Sequence, residues 1–182
     1  MRTETIRTER LILRRLRPED SKQLHENCSS DEAVVKYLAR GACADPEITK
    51  ALAGRWIDLY ETDDFFLWAV EFGGQVIGTV NLHDIDRAAG KCGIGFSIGS
   101  NWWNRGIMTE AAGAAVKHAL NELGFLMITG WCAAENRASA RVMEKIGMKA
   151  EARTEMSVRL SSGEYADQIW YSIRREEGEE EE

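Results

Sequence analysis

Ser100-Asn101-Trp102-Trp103-Asn104-Arg105-Gly106-Ile107-Met108-Thr109-Glu110-Ala111 reads as a polar, tryptophan-bearing loop that runs into a helix. Ala112, Ala115, Ala119, Leu120 and Leu123 carry the apolar stripe of that helix onward, and Gly124 stops it. Upstream, Cys92–Ile98 reads as a strand holding Gly93 and Gly95, and glycines inside a strand mark a bulge or a close backbone approach. Downstream, Phe125–Cys132 is a continuous apolar run, the pattern of a strand buried on both faces. A loop entering a helix presents unpaired backbone N–H groups and the positive end of the helix dipole. That geometry binds anions such as a pyrophosphate. Gly106 removes a β-carbon from the approach and Arg105 can add a charged contact, although a helix capped by Asn104 fits the same residues.

A second constellation is Asn136-Arg137-Ala138-Ser139. With Asn136 as N-cap, the helix runs to about Ile146 and Gly147 terminates it. Ser139 then shares a face with Val142, Met143 and Ile146, and an inward hydroxyl needs either a bond to its own first turn or a ligand.

The remaining elements follow from turn and capping signals. A first strand is expected over about 9–16, and helices over about 18–28 and just after Ser30. Asp45-Pro46-Glu47 opens a third helix whose Ile48, Leu52, Trp56 and Leu59 form one stripe. Phe65–Phe72 and Gln75–Leu82 form a hairpin about Gly73-Gly74, and His83–Lys91 reads as a polar loop. Two last strands, about 148–159 and 164–174, flank Ser161-Ser162-Gly163. Trp56, Trp68, Trp131 and Trp170 are expected in the core, while Trp102 and Trp103 flank the loop. One mixed α/β domain over residues 1–175 accounts for the pattern.

Composition narrows the class. The 182 residues are 44% hydrophobic and 29% charged, as in ordinary globular proteins. No apolar run reaches membrane-spanning length, and no signal-peptide core follows the N-terminus. The net charge of −7 resides mostly in residues 176–182, which hold six glutamates. Without them 23 basic residues face 24 acidic ones, so the body is nearly neutral and lacks the basic stripe of a nucleic-acid binder. The tail is expected to be solvated and disordered. Cys28, Cys43, Cys92 and Cys132 have neither zinc nor redox spacing, and His25, His83 and His118 are scattered, so no metal site is expected. Unpaired cysteines without a signal peptide fit a cytoplasmic protein.

Trp103–Ala111 resembles the acyl-CoA loop of the GNAT N-acetyltransferases, most of all the branch of the ribosomal-protein N-terminal acetyltransferases, where the loop commonly reads Trp-Gly-x-Gly-Tyr-x-x-Glu-Ala. Asn136–Ser139 followed by Glu144-Lys145-Ile146-Gly147-Met148 resembles the second motif of that branch, and Thr8–Arg14 its opening strand. Ile77-Gly78 and Ile94-Gly95-Phe96 match the strands between. Asn104 stands where the branch usually has glycine, Met108 where the superfamily has its second glycine or alanine, and Gly93 where many relatives carry a glutamate.

The resemblance implies an α/β (α+β) GNAT fold: a twisted mixed sheet of about six to seven strands, its central pair splayed, with about four helices. It implies acetyl-CoA as cosubstrate and an amine as acceptor, either a protein N-terminus or a small molecule, with no nucleic-acid or membrane partner; it is compatible with a homodimer. By the same resemblance the backbone of Phe96, Ser97 and Ile98 meets the pantetheine amides. Asn104, Arg105, Gly106, Ile107, Met108 and Thr109 hold the pyrophosphate, and Asn136 bonds the pantetheine arm. Ser139 protonates the leaving thiolate. The base is sought among His83, Asp84 and Glu71, with His83 the best matched by its ordinary pKa. A non-catalytic acyl-CoA-binding module on the same fold and an unrelated nucleotide-binding α/β protein are the competing readings.

Overall fold

The computed structural model describes residues 2–38 and 41–175; the acidic segment 176–182 lies outside the described residues. Eight strands form one sheet: β1 (Ile6–Arg7), β2 (Leu11–Arg14), β3 (Phe66–Phe72), β4 (Gln75–Asp86), β5 (Lys91–Ile98), β6 (Met127–Ala133), β7 (Lys149–Arg159) and β8 (Tyr165–Arg174). Their spatial order is β1-β2-β3-β4-β5-β6-β8-β7. Among the described strands only β5 and β6 pair in parallel. The α-helices are α1 (Asp20–Leu24), α2 (Glu32–Val35), α3 (Pro46–Leu59), α4 (Ile107–Asn121) and α5 (Arg137–Lys145). Among the described residues this is the expected mixed α/β fold, with five α-helices and eight strands where the resemblance implied about four and about six to seven. One extra strand, β1, precedes the expected first strand and pairs back on it through a tight turn, in which the Thr8 N–H donates to the Leu11 carbonyl and the Leu11 N–H donates to the Thr8 hydroxyl.

Small residues bring α4 close to the sheet. Ala111, Ala112, Ala115 and Ala119 are fully buried against Leu13, Trp68, Val80, Ile94 and Ile128. Helices α1 and α3 cover the opposite face only over β2–β4, through Leu16, Leu24, Tyr60, Leu67 and Ala69. The buried face of α3 differs from the expected stripe: Thr49 and Ala53 face inward while Ile48 and Leu59 are exposed. Thr49 is drawn in by a hydrogen bond with the His25 ring, 3.1 Å away.

The uncovered half of the sheet corrects two further expectations. β6 is not buried on both faces, because among the described residues no helix covers β6 and β8 on the side away from α4. Trp131 and Trp170 pair across these strands there and are more than a third exposed, so they are not core residues. All four cysteines are buried, and none forms a disulfide among the described residues. Burial pushes the Cys92 thiol to about 12 and the Cys132 thiol to about 11, so neither is a thiolate near neutral pH. Among the described residues, no helix is long and apolar enough to cross a membrane.

Candidate active site

The parallel pairing of β5 and β6 stops early. Lys91, Cys92 and Gly93 pair with Met127, Ile128 and Thr129, and beyond Gly93 the two strands part. On its other edge β5 stays paired with β4 through Ile98. The Gly99 N–H bonds the Ile77 carbonyl at 3.0 Å, which fixes the alternation along β5. Ser97 turns its backbone toward Thr79 of β4, whereas Phe96 and Ile98 turn theirs into the opening. The Ile98 carbonyl also accepts from the Trp103 indole, at 2.9 Å.

The opening leads into a cavity of about 490 Å³, lined by the end of β5, the 102–109 loop, the start of α5 and residues of α2. Gly106, at φ +71°, is the N-cap of α4, and no side chain caps the helix. Asn104 also adopts a left-handed conformation, φ +59°, which asparagine tolerates better than most residues. The first intrahelical bond is Glu110 N–H to the Gly106 carbonyl, 3.1 Å. The amides of Ile107, Met108 and Thr109 are therefore free of helix partners at the cavity mouth. Met108, which replaces a small residue of the family pattern, is almost fully buried in the core. The asparagine-capped alternative does not apply to α4.

Helix α5 supplies the other wall. The Asn136 side chain accepts from the Ser139 N–H at 3.1 Å, forming the expected cap. The Ser139 hydroxyl lines the cavity and has no hydrogen-bond partner among the described residues. Arg137, Arg141 and Lys145 also line it, at four-residue intervals along one face of α5. This cationic stripe was missed in the sequence, although its spacing is plain there. It offers positive charge beside the uncapped end of α4.

Of the residues expected at the cofactor, Phe96, Ser97, Ile98, Asn104, Gly106, Ile107, Met108, Thr109 and Asn136 border the cavity. Arg105 does not: its guanidinium lies over the Phe72 ring, 5.3 Å from the centroid. His83 is not in a loop but in β4, opposite Gly93 and outside the cavity lining. Glu71 is engaged elsewhere, accepting from Arg14 Nε at 2.6 Å. Asp31, at the rim near α2, accepts from the Ser100 and Ala33 N–H groups at 3.0 Å. Partial burial raises its pKa, but these bonds prevail and hold the carboxylate below its usual range.

Splayed parallel strands beside an uncapped, glycine-led helix define an acyl-CoA-dependent acyltransferase. The acetyltransferase (GNAT) domain family matches residues 10–149. The chain belongs to the GNAT acetyltransferases, which use acetyl-CoA as acyl donor. It is 28% identical over 172 residues to the uncharacterized N-acetyltransferase YnaD of Bacillus subtilis, covering 94% of this chain and 98% of that one. A GNAT-family acetyltransferase structure from Bacillus anthracis superimposes with a TM-score of 0.83 at 28% identity, over 96% of this chain and all of the other. RimL, a ribosomal L7/L12 α-N-protein acetyltransferase solved with coenzyme A, shares the fold with a TM-score of 0.85 at 19% identity, over 94% and 98% of the two chains.

Proposed function

We propose that residues 1–175 form a cytoplasmic N-acetyltransferase domain that moves the acetyl group of acetyl-CoA to a primary amine by direct attack in a ternary complex. The acceptor is a protein N-terminus or a small-molecule amine. The observation that carries the reading is the junction of unpaired β5 backbone, uncapped α4 and unpartnered Ser139 around one cavity. The α4 amides and the α5 cations receive the phosphates. The backbone of Phe96 and Ile98 meets the pantetheine amides in the manner of an added strand. Asn136 keeps its amide NH₂ for the pantetheine arm while its oxygen caps α5. A backbone N–H of β5 stabilises the oxyanion, and Ser139 gives a proton to the leaving thiolate.

Acceptor chemistry sets the demand on a base. At pH 7 an α-amine with pKa near 7.7–8.0 is neutral in about one molecule in ten, a lysine-like amine in about one in 10³. The test is calorimetric binding of acetyl-CoA, with CoA and ATP as controls, to wild type, Gly106→Glu and Thr109→Glu. An acid in the first turn favours the helix itself, so Thr109→Glu keeps the fold while repelling phosphate. Binding lost in both variants, followed by turnover of a free-N-terminus peptide, spermidine or an aminoglycoside, is the expected result. No binding by wild type overturns the reading; binding without turnover of any amine leaves a non-catalytic acyl-CoA-binding module.

A further inference from the structure

The sheet face away from α4 holds a second set of polar groups, running from buried Thr79 to half-exposed His83 at the edge of the covered part. Thr79, Asn81 and His83 alternate along β4 and stand opposite Ser97, Gly95 and Gly93 of β5. The two glycines leave room for the β4 side chains. A β-carbon at Gly95 would come within 2.8 Å of Asn81 Oδ1, and one at Gly93 within 2.7 Å of His83 Nδ1 and 3.0 Å of Nε2. The imidazole therefore leans across β5, over the last residue paired with β6. Ser97, at the other end of this row, borders the cavity.

The strand is built to aim that ring. Between His83 and Asp86, β4 carries one residue more than β5, a bulge of the kind that re-aims side chains near active sites. Asp84, within the bulge, adopts φ +49°, a conformation that few non-glycine residues take without compensation. Its Oδ2 lies 2.8 Å from His83 Nδ1. A carboxylate only accepts, so Nδ1 carries the proton and Nε2 keeps its lone pair. Of the other acids near the opening, Glu71 is bound to Arg14, Glu110 to Arg10 and Thr8, and Asp31 to backbone N–H groups, while Glu135 lines the cavity at the start of α5, on the wall away from Gly93.

Resting on the acetyltransferase reading, we infer that His83 is the general base of this chain, oriented by Asp84, and that Gly93 is the space that admits it where relatives place a glutamate. Phe96 lies three residues along β5, about 10 Å from Gly93, a span filled by the acceptor amine and one water. The amine nitrogen bonds the acetyl carbonyl carbon and the carbon–sulfur bond breaks, its electron pair leaving on sulfur. The amine proton passes through the water to Nε2, and the thiolate takes a proton from Ser139 or solvent. The products are an amide and the CoA thiol. Asp84 is a positioning residue.

Two measurements test this. Long-range ¹H–¹⁵N NMR at pH 8, with His83→Gln assigning the signal among three histidines, should find the Nδ1–H tautomer in wild type and its loss in Asp84→Ala. An Nε2–H tautomer in wild type overturns the proposal. The second compares wild type, His83→Gln, Asp84→Ala and Gly93→Ala on a free-N-terminus peptide and spermidine, with acetyl-CoA affinity measured for each. His83→Gln should lose about 10²-fold in kcat or more, lose the acid limb of the pH profile, and keep its acetyl-CoA affinity. Asp84→Ala, whose carboxylate is largely exposed, should lose less than tenfold. The other titratable groups by the ring, Asp86 and its cross-strand partner Lys91, remain in every variant. Equal kcat in His83→Gln overturns the dyad alone. A wild type that binds acetyl-CoA yet acetylates neither amine overturns the acetyltransferase reading and the dyad's role together.

Discussion

Arg10 holds Glu110 from the far side of the α4 loop: its Nε donates to Oε2 at 2.6 Å while Nη1 donates to the Arg105 carbonyl at 3.1 Å. The Arg10 N–H and the Thr8 hydroxyl donate to Oε1, at 3.0 and 2.5 Å. The β1–β2 turn thus fastens both the loop and the first turn of α4. Partial burial raises the Glu110 pKa, but the bonds from Thr8 and Arg10 outweigh it and hold the carboxyl below its ordinary value of 4.5. A carboxylate depressed in the folded state stabilises it above the unfolded pKa, and this is lost as pH falls through the folded value. Glu110→Gln should cost about 1–2 kcal/mol at pH 7. It should also flatten the loss of stability below pH 4.5, both read by urea unfolding at a series of pH values.

Arg14 commits Glu71 to an ion pair. Its guanidinium, only 11% exposed, donates to Asp20 at 2.7 and 2.9 Å and to Glu71 at 2.6 Å. Burial opposes the charge, but the two carboxylates raise the Arg14 pKa above its usual value. Arg14→Met leaves Asp20 of α1 and Glu71 of β3 without their counter-charge, Asp20 keeping only the Arg17 N–H among the described residues, and removing one partner of a buried ion pair costs about 3–5 kcal/mol. Denaturant titration should show that loss, and Arg14→Lys should recover only part of it, because a single ammonium cannot reproduce the fork.

The order of elements was legible because strand alternation, helix stripes and glycine stops are local. Loop and helix around Gly106 were readable for the same reason, as was the Asn136 cap. What escaped depends on layers that only the folded sheet defines. The exposure of Trp131 and Trp170 follows from which half of the sheet lacks helices. Gly93 reads in sequence as a missing carboxylate; only the β4–β5 register shows it as space for His83. Arg105 matched its motif position but turns to Phe72, since a loop with two left-handed residues does not set side-chain direction by spacing alone.

The α5 stripe predicts a salt-dependent donor affinity. Arg137, Arg141 and Lys145 are exposed around the cavity rim, so each contact with phosphate is worth about 0.2–1 kcal/mol and is screened. Arg141→Ala should weaken acetyl-CoA binding by about two- to fivefold at low salt. The difference from wild type should shrink as ionic strength rises. An affinity indifferent to salt would move the phosphates away from this wall.

Ser139 and Asn136 separate structure from chemistry within one turn. The cap uses the Ser139 backbone N–H, not its hydroxyl. Ser139→Ala therefore leaves the cap intact, and its effect on stability should stay within about 0.5 kcal/mol. If the hydroxyl protonates the thiolate, kcat should fall on the order of 10²-fold with acetyl-CoA affinity little changed. Asn136→Ala removes the cap and should cost about 1 kcal/mol of stability together with part of the acetyl-CoA affinity. Thermal unfolding, calorimetry and steady-state rates on the two variants resolve the contrast. A Ser139→Ala enzyme with wild-type turnover would remove the hydroxyl from the chemistry and leave solvent as the proton source.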